Sequence, residues 1–166
     1  MKLKIKIRRI DRALPLPKII DKGDWIDLMS DRTVTLRGPF MDSGKIVFDN
    51  ALIGLGVAMQ LPKGFEAMVL PRSSAYKIFG IIKANSEGVI DNTYCGNNDE
   101  WKFNAIALRD TTIYNGDRIC QFRIQLSQKA TVWQKLKWLF SSGIEIVEVD
   151  RFENHDRGGI GSTGVN

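Results

Sequence analysis

Histidine occurs once in the 166-residue chain, at His155, and cysteine twice, at Cys95 and Cys120. One imidazole cannot build a histidine metal cluster. Two thiols outside any CxxC or Cys/His spacing exclude a zinc site and a disulfide framework, which fits a reducing compartment. Long apolar runs are lacking too. No stretch is long enough to span a bilayer, and the opening MKLKIKIRRI is not followed by the apolar core of a targeting signal. The chain is therefore expected to be soluble and cytoplasmic, with no membrane partner. A Walker loop, a dinucleotide fingerprint, a Ser-His-Asp arrangement and internal repeats are all missing, which removes several common catalytic classes.

Enough apolar content is present, 43% of residues, for a single core. A formal net charge of +5 favours anionic partners, a class that includes nucleic acid, nucleotides and plain counter-ions. The basic residues do not interleave with a stacking platform of aromatics, so nucleic acid is the weaker of these expectations.

Leu3, Ile5 and Ile7 alternate with Lys2, Lys4, Lys6 and Arg8, the period-two signature of a strand with one buried face. Short β-type runs recur at 33–36, 45–48, 53–61, 65–70, 104–109 and 118–126, separated by turn signals such as Pro62-Lys63-Gly64 and Asn115-Gly116-Asp117. Many short strands point to an all-β sandwich or barrel. Helical periodicity is confined to SSAYKIFG, after Arg72, and to TVWQKLKWLF, where Trp133, Leu136 and Phe140 share a face expected to pack against the domain. The glycine-, serine- and charge-rich residues 155–166 read as a mobile arm after a β domain at 1–154, within which 130–143 looks like an insert.

Four segments carry candidate chemistry. In NSEGVIDNTYCG (85–96) the apolar pair Val89-Ile90 leads into Asp91, with Tyr94 close behind. An aspartate at a rigid strand end can orient water and accept its proton, although an Asx turn beside a packed tyrosine explains the same residues. In LPRSSAYK (70–77) the planar fork of Arg72 suits phosphate, and Ser73 and Ser74 can cap a helix; ordinary helix-start chemistry is the competing reading. In NGDRICQFRI (115–124) alternation puts Arg118, Cys120, Phe122 and Ile124 on one face and Ile119, Gln121 and Arg123 on the other, with Gln121 available to a ligand. Finally, DRGGIGSTG (156–164) has the glycines and hydroxyls to wrap backbone N–H groups around phosphate oxygens.

These segments, in this order and spacing, together with KGDWIDLMS (22–30), resemble the five motifs of the trimeric dUTPase family, in particular its Bacillus and phage branch. The resemblance covers most of the chain from about residue 20, apart from 130–143. It implies a distorted jelly-roll or β-clip barrel with one or two short helices, assembled as a homotrimer whose sites are shared and whose arms close a neighbour's site. It implies a dUTP pyrophosphatase giving dUMP and pyrophosphate, which keeps uracil out of DNA and supplies dUMP for dTMP synthesis. Asp91 would activate water and Tyr94 would pack on the sugar. Asn85 and hairpin groups around Gly88 and Ile90 would read uracil. Arg72, Ser73, Ser74, Gln121, Arg157, Ser162 and Thr163 would hold phosphates, and Asp27 would orient Mg2+ through its waters.

The chain departs from the family in three places. Ser74 replaces the usual glycine after Arg-Ser, the tail motif is shortened around Arg157, and Ile160 stands where the family has a phenylalanine lid over uracil. The expected substitutes for the lid are Trp101 or Phe103, which follow the hairpin closely. A dCTP deaminase or bifunctional relative is the alternative within the fold, suggested by Arg72-Ser73-Ser74 and by Glu100 as a proton shuttle. A regulatory binding protein that uses 131–141 to hold a protein partner is the alternative outside it.

Overall fold

A computed structural model describes residues 1–21 and 23–158. The alternation of β1 (Leu3–Arg9) buries Leu3, Ile5 and Ile7 and leaves Lys2, Lys4 and Lys6 in solvent. This strand lies inside a five-stranded sheet. It pairs in parallel with β13 (Ile144–Glu148) and antiparallel with the long β6 (Asn50–Gln60), which continues to β10 (Glu100–Ala107) and β8 (Ile81–Lys83). A four-stranded sheet runs β2 (Ile26–Met29), β12 (Arg118–Leu126), β7 (Phe65–Pro71) and β9 (Gly88–Ile90). Two ribbons complete the strands: β3 (Val34–Leu36) with β11 (Thr111–Ile113), and β4 (Phe40–Asp42) with β5 (Lys45–Val47).

The inner faces of the two large sheets share one core. Trp101 of β10 meets Phe122 of β12 edge-on at 5.2 Å between ring centroids, and Phe65, Phe103, Ile53 and Leu55 are fully buried around them. Each large apolar side chain removed from water contributes about 1.5–3 kcal/mol, so the aromatic layer between the sheets stabilises their face-to-face arrangement. The fold is mostly strand, as the alternation predicts. Among the described residues the sheets remain separate and do not close into one hydrogen-bonded barrel.

Three local expectations are corrected. A register shift between Arg118 and Cys120 breaks the simple alternation of β12, so Ile119 and Cys120 are both buried while Arg118 is exposed. A bulge that puts two residues opposite one reverses the side-chain phase, and that releases Arg118 from the core face. Ser74 is the N-cap of α1 (Ala75–Phe79), but its backbone is helical and its hydroxyl makes no cap bond; the helix ends at Gly80, in the left-handed region at φ 63°. The third correction concerns α2 (Val132–Leu139). A full capping box between Thr131 and Gln134 starts it, yet none of its residues is buried: Trp133 is 80% and Phe140 76% exposed. Trp133 and Phe140 of that face stand in solvent, and only Leu136, 37% exposed, is partly covered. Trp138 packs on the domain instead, with its ring 5.3 Å from that of Phe65.

Candidate active site

β9 pairs antiparallel with β7, Ile90 opposite Ala67 and Gly88 opposite Val69, so Asp91 emerges near the start of β7. One carboxylate oxygen of Asp91 accepts the Thr93 backbone N–H at 2.8 Å and the Thr93 hydroxyl, forming an Asx turn, while the other accepts from Arg157 Nη1 at 2.5 Å. Partial burial pushes the Asp91 pKa up. The Thr93 hydrogen bonds and the Arg157 guanidinium outweigh burial and hold it below the ordinary aspartate range. The carboxylate is therefore ionised at neutral pH. The two readings of this segment, turn aspartate and proton acceptor, are compatible, because the turn uses one oxygen, Arg157 meets the other, and both residues line an open cleft of about 830 Å³. Tyr94 lies half-buried behind it, its hydroxyl donating to the Glu100 carbonyl at 2.9 Å.

Asp99, 1% exposed, fixes the route of the chain toward Asp91. Its carboxylate accepts backbone N–H groups of Gly96 at 2.8 Å, Arg157 at 2.9 Å and Gly158 at 3.1 Å. Asn98 reaches Asp156 through backbone and side chain, and Asn97 and Phe152 exchange two bonds. Through Gly158, then, the root of the arm closes on its own chain's hairpin.

A second group forms at the other end of β7. Gln121 stands opposite Asp27 on one side and Leu70 on the other, and its amide donates to the Pro71 carbonyl at 3.3 Å. Asp27 joins Arg72 at 2.9 Å and Arg118 at 3.1 Å, a carboxylate held between two guanidiniums. Ser73 is exposed just beyond. Because β9 runs antiparallel to β7, Asp91 lies beside Glu66 while Arg72 follows Pro71. Six residues of strand at its usual rise put the two groups about 20 Å apart within one chain.

The structure does not bear out the two lid expectations. Trp101 and Phe103 are fully buried in the core, where the inward phase of β10 sends them, so neither ring can cover a base. Glu100 is also committed elsewhere. Its carboxyl accepts the Gly56 N–H at 3.0 Å beside Asp31, where burial raises its pKa, and it does not face the Asp91 cleft as a shuttle would. Ser162 and Thr163 lie outside the described residues, as does Ile160. Sequence reasoning missed Thr93, Asp99 and Arg118. Only Thr93, two residues after an aspartate, carried a local signal, that of an Asx turn. Among the described residues no three His, Cys, Asp or Glu side chains gather into a metal cage.

The two sheets thus define a mostly β protein with an ionised carboxylate at one end of the β7–β9 strand pair and two guanidiniums gathered on Asp27 at the other. A sequence profile described as dUTPase matches residues 45–164. The SPbeta prophage-derived deoxyuridine 5'-triphosphate nucleotidohydrolase of Bacillus subtilis (strain 168) is 47% identical over 163 residues, covering 98% of this chain and 99% of its own. Among solved structures, the dUTPase of Streptococcus mutans superposes with a TM-score of 0.62 at 18% identity over 76% of this chain and 98% of its own. A mutant dUTPase of phage phi11 of S. aureus, described with a structural Mg(II) ion, gives 0.60 at 17% over 77% and 94%. The chain belongs to the dUTPase family, a family of enzymes.

Proposed function

We propose that the protein hydrolyses dUTP to dUMP and pyrophosphate, with Asp91 as the base that activates the attacking water. The observation that carries this reading is the ionised Asp91 carboxylate on the wall of an open cleft, one oxygen held by Thr93 and the other by Arg157. An incoming triphosphate competes for that guanidinium and frees the oxygen to hold water. The water oxygen bonds to the α-phosphorus as the α–β bridging bond breaks. Asp91 takes the proton, and the charge arising on the departing pyrophosphate is met by guanidiniums. Tyr94 packs under the sugar, and Asn85 with the Gly88 and Ile90 backbone reads uracil, where unpaired groups would penalise another base.

Arg72, Gln121, Ser73, Ser74 and Arg118 hold the phosphates, with Ser162 and Thr163 of the arm. One chain keeps Arg72 about 20 Å from Asp91, and in the homotrimer that the family resemblance implies the hairpin of one subunit meets the Arg72 edge of another. Mg2+ fits this donor set only as a passenger. Both Asp27 oxygens are engaged by arginines, so Asp27 would hold the ion only through its water shell, as suits a cation that keeps its waters. When bound, it neutralises phosphate charge. The chain comprises a β domain at 1–154 and an arm at 155–166, acting in the cytoplasm to keep uracil out of DNA and to supply dUMP for dTMP synthesis. No described helix is long and apolar enough to cross a membrane.

Hydrolysis in 18O-enriched water tests the chemistry. Label in dUMP supports attack at the α-phosphorus, label confined to pyrophosphate refutes it, and ammonia released from dCTP would establish the deaminase instead. Asp91→Asn is expected to lower kcat by about 10²–10⁴ with the fold retained.

A further inference from the structure

Lys83, at the end of β8, is 7% exposed, and among the described residues no carboxylate lies within salt-bridge reach of its ammonium. Its Nζ donates to the side-chain oxygen of Asn85, two residues on, and lies 5.7 Å from the centroid of the Phe103 ring. The backbone of Lys83 shapes the same turn. Its carbonyl accepts the Ser86 N–H at 3.2 Å, and Ser86 sits at φ 52°. The ammonium lies under the hairpin: a Cβ on Gly88 would come within 2.9 Å of Nζ, so the missing side chain of Gly88 leaves the space the lysine fills. Burial lowers the Lys83 pKa by disfavouring the charged form, and the Asn85 oxygen is the acceptor its ammonium meets there.

An ammonium has three donors and no acceptor, so it can hold only the oxygen end of an amide. Asn85 is thereby prevented from flipping, and the polar end left to face outward is its NH2 group, a donor. Where Asn85 meets the base, a fixed donor complements the carbonyl at position 4 of uracil and opposes the amino group that cytosine carries there, leaving two donors face to face. We propose that Lys83 is a positioning residue for base selection: it locks the orientation of Asn85 so that the pocket offers a donor to uracil and rejects cytosine. Lys83 touches no substrate atom in this role. The inference rests on the reading above that Asn85 contacts the base.

Steady-state kinetics of the full-length enzyme with dUTP and with dCTP test it. Lys83→Met should raise KM for dUTP about tenfold and lower the ratio of dUTP to dCTP kcat/KM by a similar factor, with kcat for dUTP changed less than about twofold because the reacting atoms are untouched. Asn85→Asp makes the sharper case. With one carboxylate oxygen held by Lys83, the other presents an acceptor, so the preference should move toward dCTP, and Lys83→Met should weaken that move. If Lys83→Met does not fold, as judged by its thermal transition, Lys83→Gln, which keeps an amide donor, should retain part of the discrimination, and Asn85→Asp alone still decides. The two readings fail separately. If Asn85→Ala lowers the dUTP to dCTP ratio while a folded Lys83 variant and Asn85→Asp leave it unchanged, the lock is wrong and base reading by Asn85 stands. If Asn85→Ala also leaves the ratio unchanged, Asn85 does not read the base and both fall.

Discussion

At the residue scale the Asp91–Arg157 pair sets a pH signature. Arg157 is one of the groups that hold the Asp91 carboxyl below the ordinary range, so removing it lets the pKa rise back toward that range. The base is active only when ionised. The acid limb of kcat/KM should therefore move to higher pH in Arg157→Ala, and Arg157→Lys should restore much of the wild-type position, whatever the loss in absolute rate from weaker phosphate binding. A limb that stays in place in Arg157→Ala would show that the guanidinium does not act on Asp91 in the working enzyme. The turn at Asp91 was legible in the sequence because Thr93 lies two residues on, whereas Arg157, 66 positions away, left no local signal. Asp99 was not legible: its partners Arg157 and Gly158 are 58 and 59 positions away, and the bonds run from side chain to backbone, which leaves no residue-type signal at the far end.

At the element scale, alternation located most of the long strands and failed where the backbone departs from period two. In β12 the bulge after Arg118 could not be read from residue types, so the arginine that completes the Asp27 group was placed on one face with Cys120 and Phe122. In β10 the pattern was present and outweighed: Trp101, Phe103, Ala105 and Ala107 alternate and are all buried, yet nearness in sequence to the hairpin made two of them look like a lid. The helix α2 shows a third limit. Its apolar residues encircle it too broadly for periodicity to single out the seated one, and only contact with Phe65 identifies Trp138. Trp138→Ala should cost about 1–2 kcal/mol in urea denaturation, from the lost aromatic pair and buried area. Trp133→Ala should stay within about 0.5 kcal/mol, because that ring is in solvent. Equal costs for the two would return the Trp133 face to the packed side.

At the scale of the whole molecule, the antiparallel pairing of β7 and β9 governs the site. Pairing carries Asp91 to the beginning of β7 and leaves Arg72 at its end, so in the proposed mechanism the two reach one triphosphate from different subunits. Two inactive proteins should then complement each other. In trimers assembled at random from equal amounts of Asp91→Asn and Arg72→Ala chains, a site is competent when an intact hairpin from an Arg72→Ala chain faces an intact Arg72 edge from an Asp91→Asn chain. That arrangement arises at about a quarter of the sites, so co-refolding should recover about a quarter of wild-type turnover from two preparations that each have almost none. Simple mixing of preformed trimers should recover far less until subunits exchange. Absence of recovery in verified mixed trimers would mean that Asp91 and Arg72 serve the same chain, and the strand pairing would have to rearrange on substrate binding to bring them together.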